Sequence, residues 1–102
     1  DDAALARALP NDALVVALEV GGERLSSEGF SKKLEQWGSR GKGNVAFVIG
    51  GAEGIPPELS RAAEVRLSLS SMTLPHRLAR VLLLEQIYRG ISITRGEPYA
   101  RE

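Results

Sequence analysis

The 102-residue chain contains no cysteine, one histidine, one tryptophan, one methionine, and two each of phenylalanine and tyrosine. Without cysteine there is no disulfide scaffold, no thiolate zinc site and no catalytic thiol. One histidine alone cannot build a standard zinc site, so no metal is expected and metal catalysis is rejected. Absent cysteines fit a reducing compartment but constrain little. Charge of one sign is missing too: 13 basic residues balance 13 acidic ones. No bulk field therefore draws the chain to nucleic acid, although a local patch suffices for that. No apolar run approaches the ~20 residues that span a bilayer, so no membrane association is expected. No internal repeat or low-complexity tract occurs. The N-terminus lacks a Met, a basic region and an apolar core, so a signal peptide is not expected. Instead Asp1–Leu9 is an Ala- and Leu-rich helical stretch closed by the turn cluster Pro10-Asn11-Asp12. Opening inside a helix without a cap suggests a truncated or engineered short form.

What is present is an ordinary globular composition, 43% apolar and 25% charged. The length predicts a single domain, residues 1–102, that buries roughly 65% of its unfolded surface around one modest core. Asp12–Val20 is nearly continuously apolar and β-branched at three positions, which predicts a strand covered on both faces. Gly21-Gly22-Glu23-Arg24 reads as a loop. Ser26-Ser27 offers a hydroxyl cap before a helix Phe30–Trp37, whose Phe30, Leu34 and Trp37 fall on one face. Val45–Ile49 is a second buried strand, running into Gly50-Gly51-Ala52-Glu53-Gly54. Ile55-Pro56-Pro57-Glu58 opens a short helix to about Ala63, and Val65–Leu69 alternates as a third strand. The longest helix runs from about Pro75 to Ile91, with Thr73 or Ser71 as its candidate cap and an irregular tail after it. Strands alternating with helices predict an α/β fold, a parallel sheet with helices on both faces. Three strands are few for that class. Further strands would lie upstream, or a partner would supply cover.

In open α/β sheets ligands bind beyond the carboxyl ends of the strands. Three segments meet that description: Ala17–Val20, Ile49–Gly54 and Leu69–Pro75. The glycine loop either receives a ligand against its backbone or is simply a tight turn. It matches neither the P-loop nor the dinucleotide fingerprint, which disfavours phosphate transfer. Glu53 within it either orients a ligand or accepts local amides. His76 is more readily structural than catalytic, and no nucleophile elbow is present. In the long helix Val81-Leu82-Leu83-Leu84 is apolar around a whole turn. Such a helix is covered on two sides, by the sheet and a second copy of the chain, or else lies in the centre of a monomer core. After Lys42 the basic side chains, His76 apart, are all arginine. Arg77 and Arg80 share a face, and Arg89 can pair with Glu85. Arginine suits phosphate recognition, although each one singly is more simply solvated or internally paired.

Four separated blocks carry a resemblance: Phe47–Gly54, Leu67–His76, Glu85-Gln86-Ile87-Tyr88-Arg89 and Pro98-Tyr99-Ala100-Arg101-Glu102. In order and spacing they resemble the bacterial ribosomal RNA large-subunit methyltransferase H family. The resemblance implies a SPOUT-type α/β fold with a C-terminal trefoil knot, an exception to the rule against threaded chains. It implies a cytoplasmic homodimer that binds S-adenosyl-L-methionine and methylates N3 of a pseudouridine in large-subunit ribosomal RNA. Carried over, the cofactor pocket comprises Leu18, Gly50, Gly51 and the loop Ser70, Ser71, Met72, Thr73, Leu74 and Pro75. Arg101 is the candidate for binding substrate or stabilising its anion, with Tyr99 and His76 as further catalytic candidates. Family members carry a further βαβ stretch upstream, and their C-terminus typically reads Tyr-His-Arg where this chain has Ala100. Two rival readings are a non-catalytic binding module and an engineered or truncated knotted dimer, with or without cofactor binding.

Overall fold

The computed structural model describes residues 13–40, 43–50 and 54–98. Six elements follow one another: β1 (Leu14–Arg24), α1 (Ser27–Arg40), β2 (Val45–Ile49), α2 (Pro57–Ala62), β3 (Val65–Ser68) and α3 (His76–Arg95). The three strands form one parallel sheet in the order β2-β1-β3. The expected α/β class and helix cover on both faces are therefore present.

Strand order and the handedness of crossovers explain where the helices lie. From β1 the chain steps to β2 on one side, and from β2 it crosses back over β1 to β3. Right-handed crossovers in opposite directions put their helices on opposite faces. On one face Leu14 and Val16 of β1 and Leu67 of β3 meet Phe30 and Trp37 of α1 and Leu83 of α3. Phe30, Trp37 and Phe47 form an aromatic triad with centroids 5.9–6.4 Å apart, Phe30 and Trp37 meeting edge to face. α2 takes the other face, where its Ser60 bonds Glu19 and Arg66, residues that alternate away from Val16 and Leu67. Consecutive β1 residues Val16 and Ala17 are both buried, as a strand covered on two faces requires.

Several boundaries differ from expectation. β1 does not end at Val20 but continues through Gly21–Arg24. Its pairing with β3 shifts: Leu18 and Glu23 both register with Leu67, so the four residues between them bulge. Gly22 enables this, because a Cβ there would lie 2.7 Å from the backbone of Arg66 and Leu67. α1 is longer than Phe30–Trp37; the cap comes from Ser26, whose Oγ accepts the Gly29 N–H at 3.0 Å. β3 stops at Ser68, and Leu69 already belongs to the following loop.

α3 starts after Pro75, which occupies the N-cap position without a side-chain hydrogen bond, so neither Thr73 nor Ser71 caps it. It continues beyond Ile91 to Arg95 and closes on Gly96 in the left-handed conformation (φ +68°). α1 and α3 approach closely where Ser31 Oγ donates to the Gly90 carbonyl at 2.8 Å. Ala79, Leu83, Gly90 and Ser92 are buried, whereas Val81 and Leu84 are 61% and 55% exposed. Among the described residues, then, α3 is covered on one side only, which does not fit a central monomer-core helix. The opening stretch, residues 1–12, lies outside the described residues.

Removing the centre of the aromatic triad leaves a cavity that the surrounding strands cannot close. Trp37→Ala is expected to lower the unfolding free energy by about 3–5 kcal/mol, measured by urea denaturation followed by circular dichroism. A loss below about 1 kcal/mol would show that the triad is not part of the core.

Candidate functional site

The three strands deliver their carboxyl ends to one edge of the sheet, and the loops leaving them enclose a cavity of about 360 Å³. That volume lies within the range of small-molecule sites. From the middle of β1, where its bulge begins, come Leu18, Glu19 and Val20; after β2 come Gly50, Gly54 and Ile55. The loop after β3 contributes Leu69, Ser70, Met72, Thr73 and Leu74, and α3 contributes Ala79. The three segments singled out in the sequence therefore meet at one place.

Backbone crowding and a few polar contacts give this edge its shape. A Cβ on Gly50 would lie 2.6 Å from Ile55 N and collide with the Gly54 carbonyl carbon, so the loop closes only over glycine. Gly54 itself has φ +83°, a left-handed conformation that favours glycine. In the loop after β3, Ser68 Oγ donates to the Ser70 carbonyl at 2.9 Å, and Ser70 Oγ accepts the Met72 N–H at 2.9 Å. These local bonds turn the backbone toward the cavity and carry Met72 to its mouth, largely exposed. His76, in the first turn of α3, places Nδ1 3.1 Å from the Gly50 carbonyl oxygen. It thereby links the loop after β2 to the helix after β3.

Of the expected cofactor residues, Leu18, Gly50, Ser70, Met72, Thr73 and Leu74 line the cavity. Ser71 lies in the same loop outside the wall, and Pro75 occupies the N-cap of α3. Gly51, Tyr99 and Arg101, together with Glu53 and Ala100, lie outside the described residues. Sequence reading did not single out Glu19, Val20, Gly54, Ile55, Leu69 or Ala79 as lining residues. Glu19, Val20, Gly54 and Leu69 sat in flagged strand-end segments, but nothing in one sequence indicates which residues of such a segment face a cavity. Ala79 reaches the wall because α3 starts at the loop and brings its first turn back across it.

The wall is chiefly apolar. Its one ionisable group among the described lining residues is Glu19, half-buried, whose Oε2 accepts a hydrogen bond from Ser60 Oγ at 3.0 Å. A smaller cavity of about 170 Å³ lies where Ser27 at the start of α1 donates to Gln86 Oε1 of α3 at 2.7 Å. The Arg89–Glu85 pair expected from i,i+4 spacing is formed at 2.8 Å. Among the described residues there is no cluster of three potential metal ligands, and no helix is long and apolar enough to cross a membrane.

The close approach at Gly50 carries its own test. Gly50→Ala must separate residues 50 and 54, so the thermal midpoint is expected to fall by at least about 5 °C, with faster amide exchange at Ile55. Unchanged values in both measurements would show that the loop does not close on Gly50.

A family model described as a predicted SPOUT methyltransferase matches residues 1–100. The chain is 61% identical over 88 residues to a protein of Sorangium cellulosum named ribosomal RNA large subunit methyltransferase H, covering 86% of this chain and 61% of that one. A protein of the same name from Rhodopseudomonas palustris is 44% identical over 97% of this chain and 62% of its own length. Another, from Acetivibrio thermocellus, is 50% identical over 91% of this chain and 58% of its own. The chain thus spans about three-fifths of the length of these relatives. With the match running through all three strands and the loops that build the cavity, this chain belongs to the SPOUT methyltransferase family.

Proposed function

We propose that this chain is the cofactor-binding core of an S-adenosyl-L-methionine-dependent methyltransferase that acts on N3 of a pseudouridine in large-subunit ribosomal RNA. The observation that carries the reading is the cavity at the carboxyl edge of the sheet. It is built by Leu18, Gly50 and the loop 70–74, positions that the family resemblance assigns to the cofactor. Family membership and relatives named for ribosomal RNA methylation support the reaction class. The residues present fit the cofactor. The volume is adequate, the apolar wall suits an adenosine, and Glu19 brings a carboxylate to the lining of a site for a ligand that is positively charged overall.

When bound, S-adenosyl-L-methionine supplies an electrophilic methyl group on a sulfonium. The chain's own part is positioning and electrostatics. Leu18, Ile55, Leu69 and Leu74 keep water from the reacting centre, and the closed loops hold the ligand in one orientation. The N3–H of the substrate must be lost, so the developing anion needs a base or a positive partner. Arg101 is assigned that role, with Tyr99 as a weaker candidate. His76 holds the Gly50 carbonyl through Nδ1, which leaves Nε2 for a ligand or a proton, and it stays a further candidate. The C-terminal trefoil knot is part of the same proposal. Support for it is the meeting of the loops after β2 and β3 at one edge, bridged by His76. The activity proposed also implies a cytoplasmic site of action, where ribosomal RNA is available.

A homodimer completes the proposal. Val81, Leu84 and Ile91 repeat at intervals of three and seven along α3 and are all exposed in the single chain, a stripe that a second copy covers. Ala100, at the position of the family's usual histidine, favours a second reading: a dimer that binds cofactor without turnover.

Methyl transfer from labelled cofactor to ribosomal RNA or large subunits separates the two. The wild-type chain is expected to transfer label; none, with cofactor binding retained, would establish the second reading. Arg101→Ala is expected to reduce transfer by about 100-fold while leaving cofactor affinity within about twofold. Equal losses in both would remove the assignment of Arg101. Leu84→Glu, at a position already exposed, is expected to convert the dimer to a monomer by light scattering while the fold is retained. A dimer that survives this change would place the interface elsewhere.

A further inference from the structure

Glu19 stands out within the cavity because its charge has no counterpart. Among the described residues its hydrogen-bond partner is the neutral Ser60 hydroxyl, and none of their cations pairs with it. Arg66 lies on the same face of the sheet, but its Nη1 donates to the carbonyls of Ser60 at 2.8 Å and Ala63 at 3.4 Å. The remaining described lining side chains are apolar or neutral. A carboxylate in such a wall favours any ligand that brings positive charge to it.

The backbone also leaves it little freedom to turn away. Glu19 is the first residue of the bulge in β1, which is seated by Gly22 against the backbone of Arg66 and Leu67. Ser60 of α2 occupies one carboxylate oxygen, Oε2, leaving Oε1 as an acceptor. The carboxylate is thus oriented from both ends, by the strand and by the hydroxyl.

We propose that Glu19, held by Ser60, is the charge-selecting residue of the cavity, favouring a cationic ligand over its neutral counterpart. The inference rests on the reading of the cavity as the methyl-donor site. S-adenosylmethionine and S-adenosylhomocysteine differ by one methyl group and one positive charge, with the α-amino, carboxylate and ribose groups common to both. Selection on charge therefore favours the loaded cofactor and eases departure of the spent one. A Glu19 that merely accepted a bond from a shared hydroxyl or amine would serve both ligands equally.

The test is calorimetric titration of the wild-type chain, Glu19→Gln and Ser60→Ala with S-adenosylmethionine and with S-adenosylhomocysteine. Glutamine keeps the size of the side chain and an oxygen for Ser60 but removes the charge. For Glu19→Gln the dissociation constant of S-adenosylmethionine is expected to rise about tenfold while that of S-adenosylhomocysteine stays within about twofold. Ser60→Ala is expected to shift the ratio in the same direction by about threefold. In the wild type, but not in Glu19→Gln, added salt is expected to narrow the preference for the cationic ligand. Parallel losses for both ligands, or no change in either, would overturn the role of Glu19 while leaving the cofactor reading intact. A wild-type chain that binds neither ligand would overturn both.

Discussion

The burial of β1 on both faces is the constraint on which the rest of the structure depends. Val16 and Ala17 are adjacent in the chain, point to opposite sides of the sheet, and are both almost completely removed from solvent. A strand in that position needs a neighbour on each edge and a layer on each face. β2 and β3 supply the edges; α1 and α3 cover one face, and α2 contacts the other. Because the strands are parallel, all three release their chains at the same end. The cavity is a consequence of that arrangement, formed wherever three successive loops must turn away from one edge.

How tightly the edge closes is set by backbone rather than by side chains. Gly22 and Gly50 each stand where a Cβ would strike a neighbouring main chain. The first lets β1 bulge and carry Glu19 to the cavity; the second lets the loop after β2 fold back on itself. His76 then ties that loop to the start of α3 through the Gly50 carbonyl. Shape at the site thus comes from close approach of peptide groups, and chemistry from the few side chains that the crowding leaves facing inward. Among those described, Glu19 alone brings a charge.

α3 has to satisfy two environments. Leu83 enters the core beside Phe30 and Trp37, and Ser31 and Gly90 permit α1 to come close on that side. Its other side carries Val81, Leu84 and Ile91 into solvent. A helix apolar around its whole circumference has no stable exposed face of its own. That exposed apolar side is what the proposed second copy would cover, and the same helix borders the cavity through Ala79. The proposed assembly and the proposed ligand site are consequently connected through one element.

Much of this was legible in the residues. The apolar run Asp12–Val20 predicted a strand covered on both faces, and the spacing of Phe30, Leu34 and Trp37 predicted one face of a helix. The strand-end segments at Leu18, Gly50 and Ser70–Leu74 were visible because parallel α/β sheets place ligands there. The ends of β1 and α3 were not. Gly21-Gly22 carries a local turn signal, and only the distant backbone of Arg66 and Leu67 turns it into a strand and a bulge. Thr73 carries a local capping signal, yet the chain enters α3 through Pro75 without it. Which way Glu19 faces, and that Ser60 holds it, likewise depend on a contact between residues 41 positions apart. Periodicity and composition are local and so determined the elements and the core by themselves; bulge, helix entry and inward-facing charge arise from long-range contacts, and only the tertiary structure decided them.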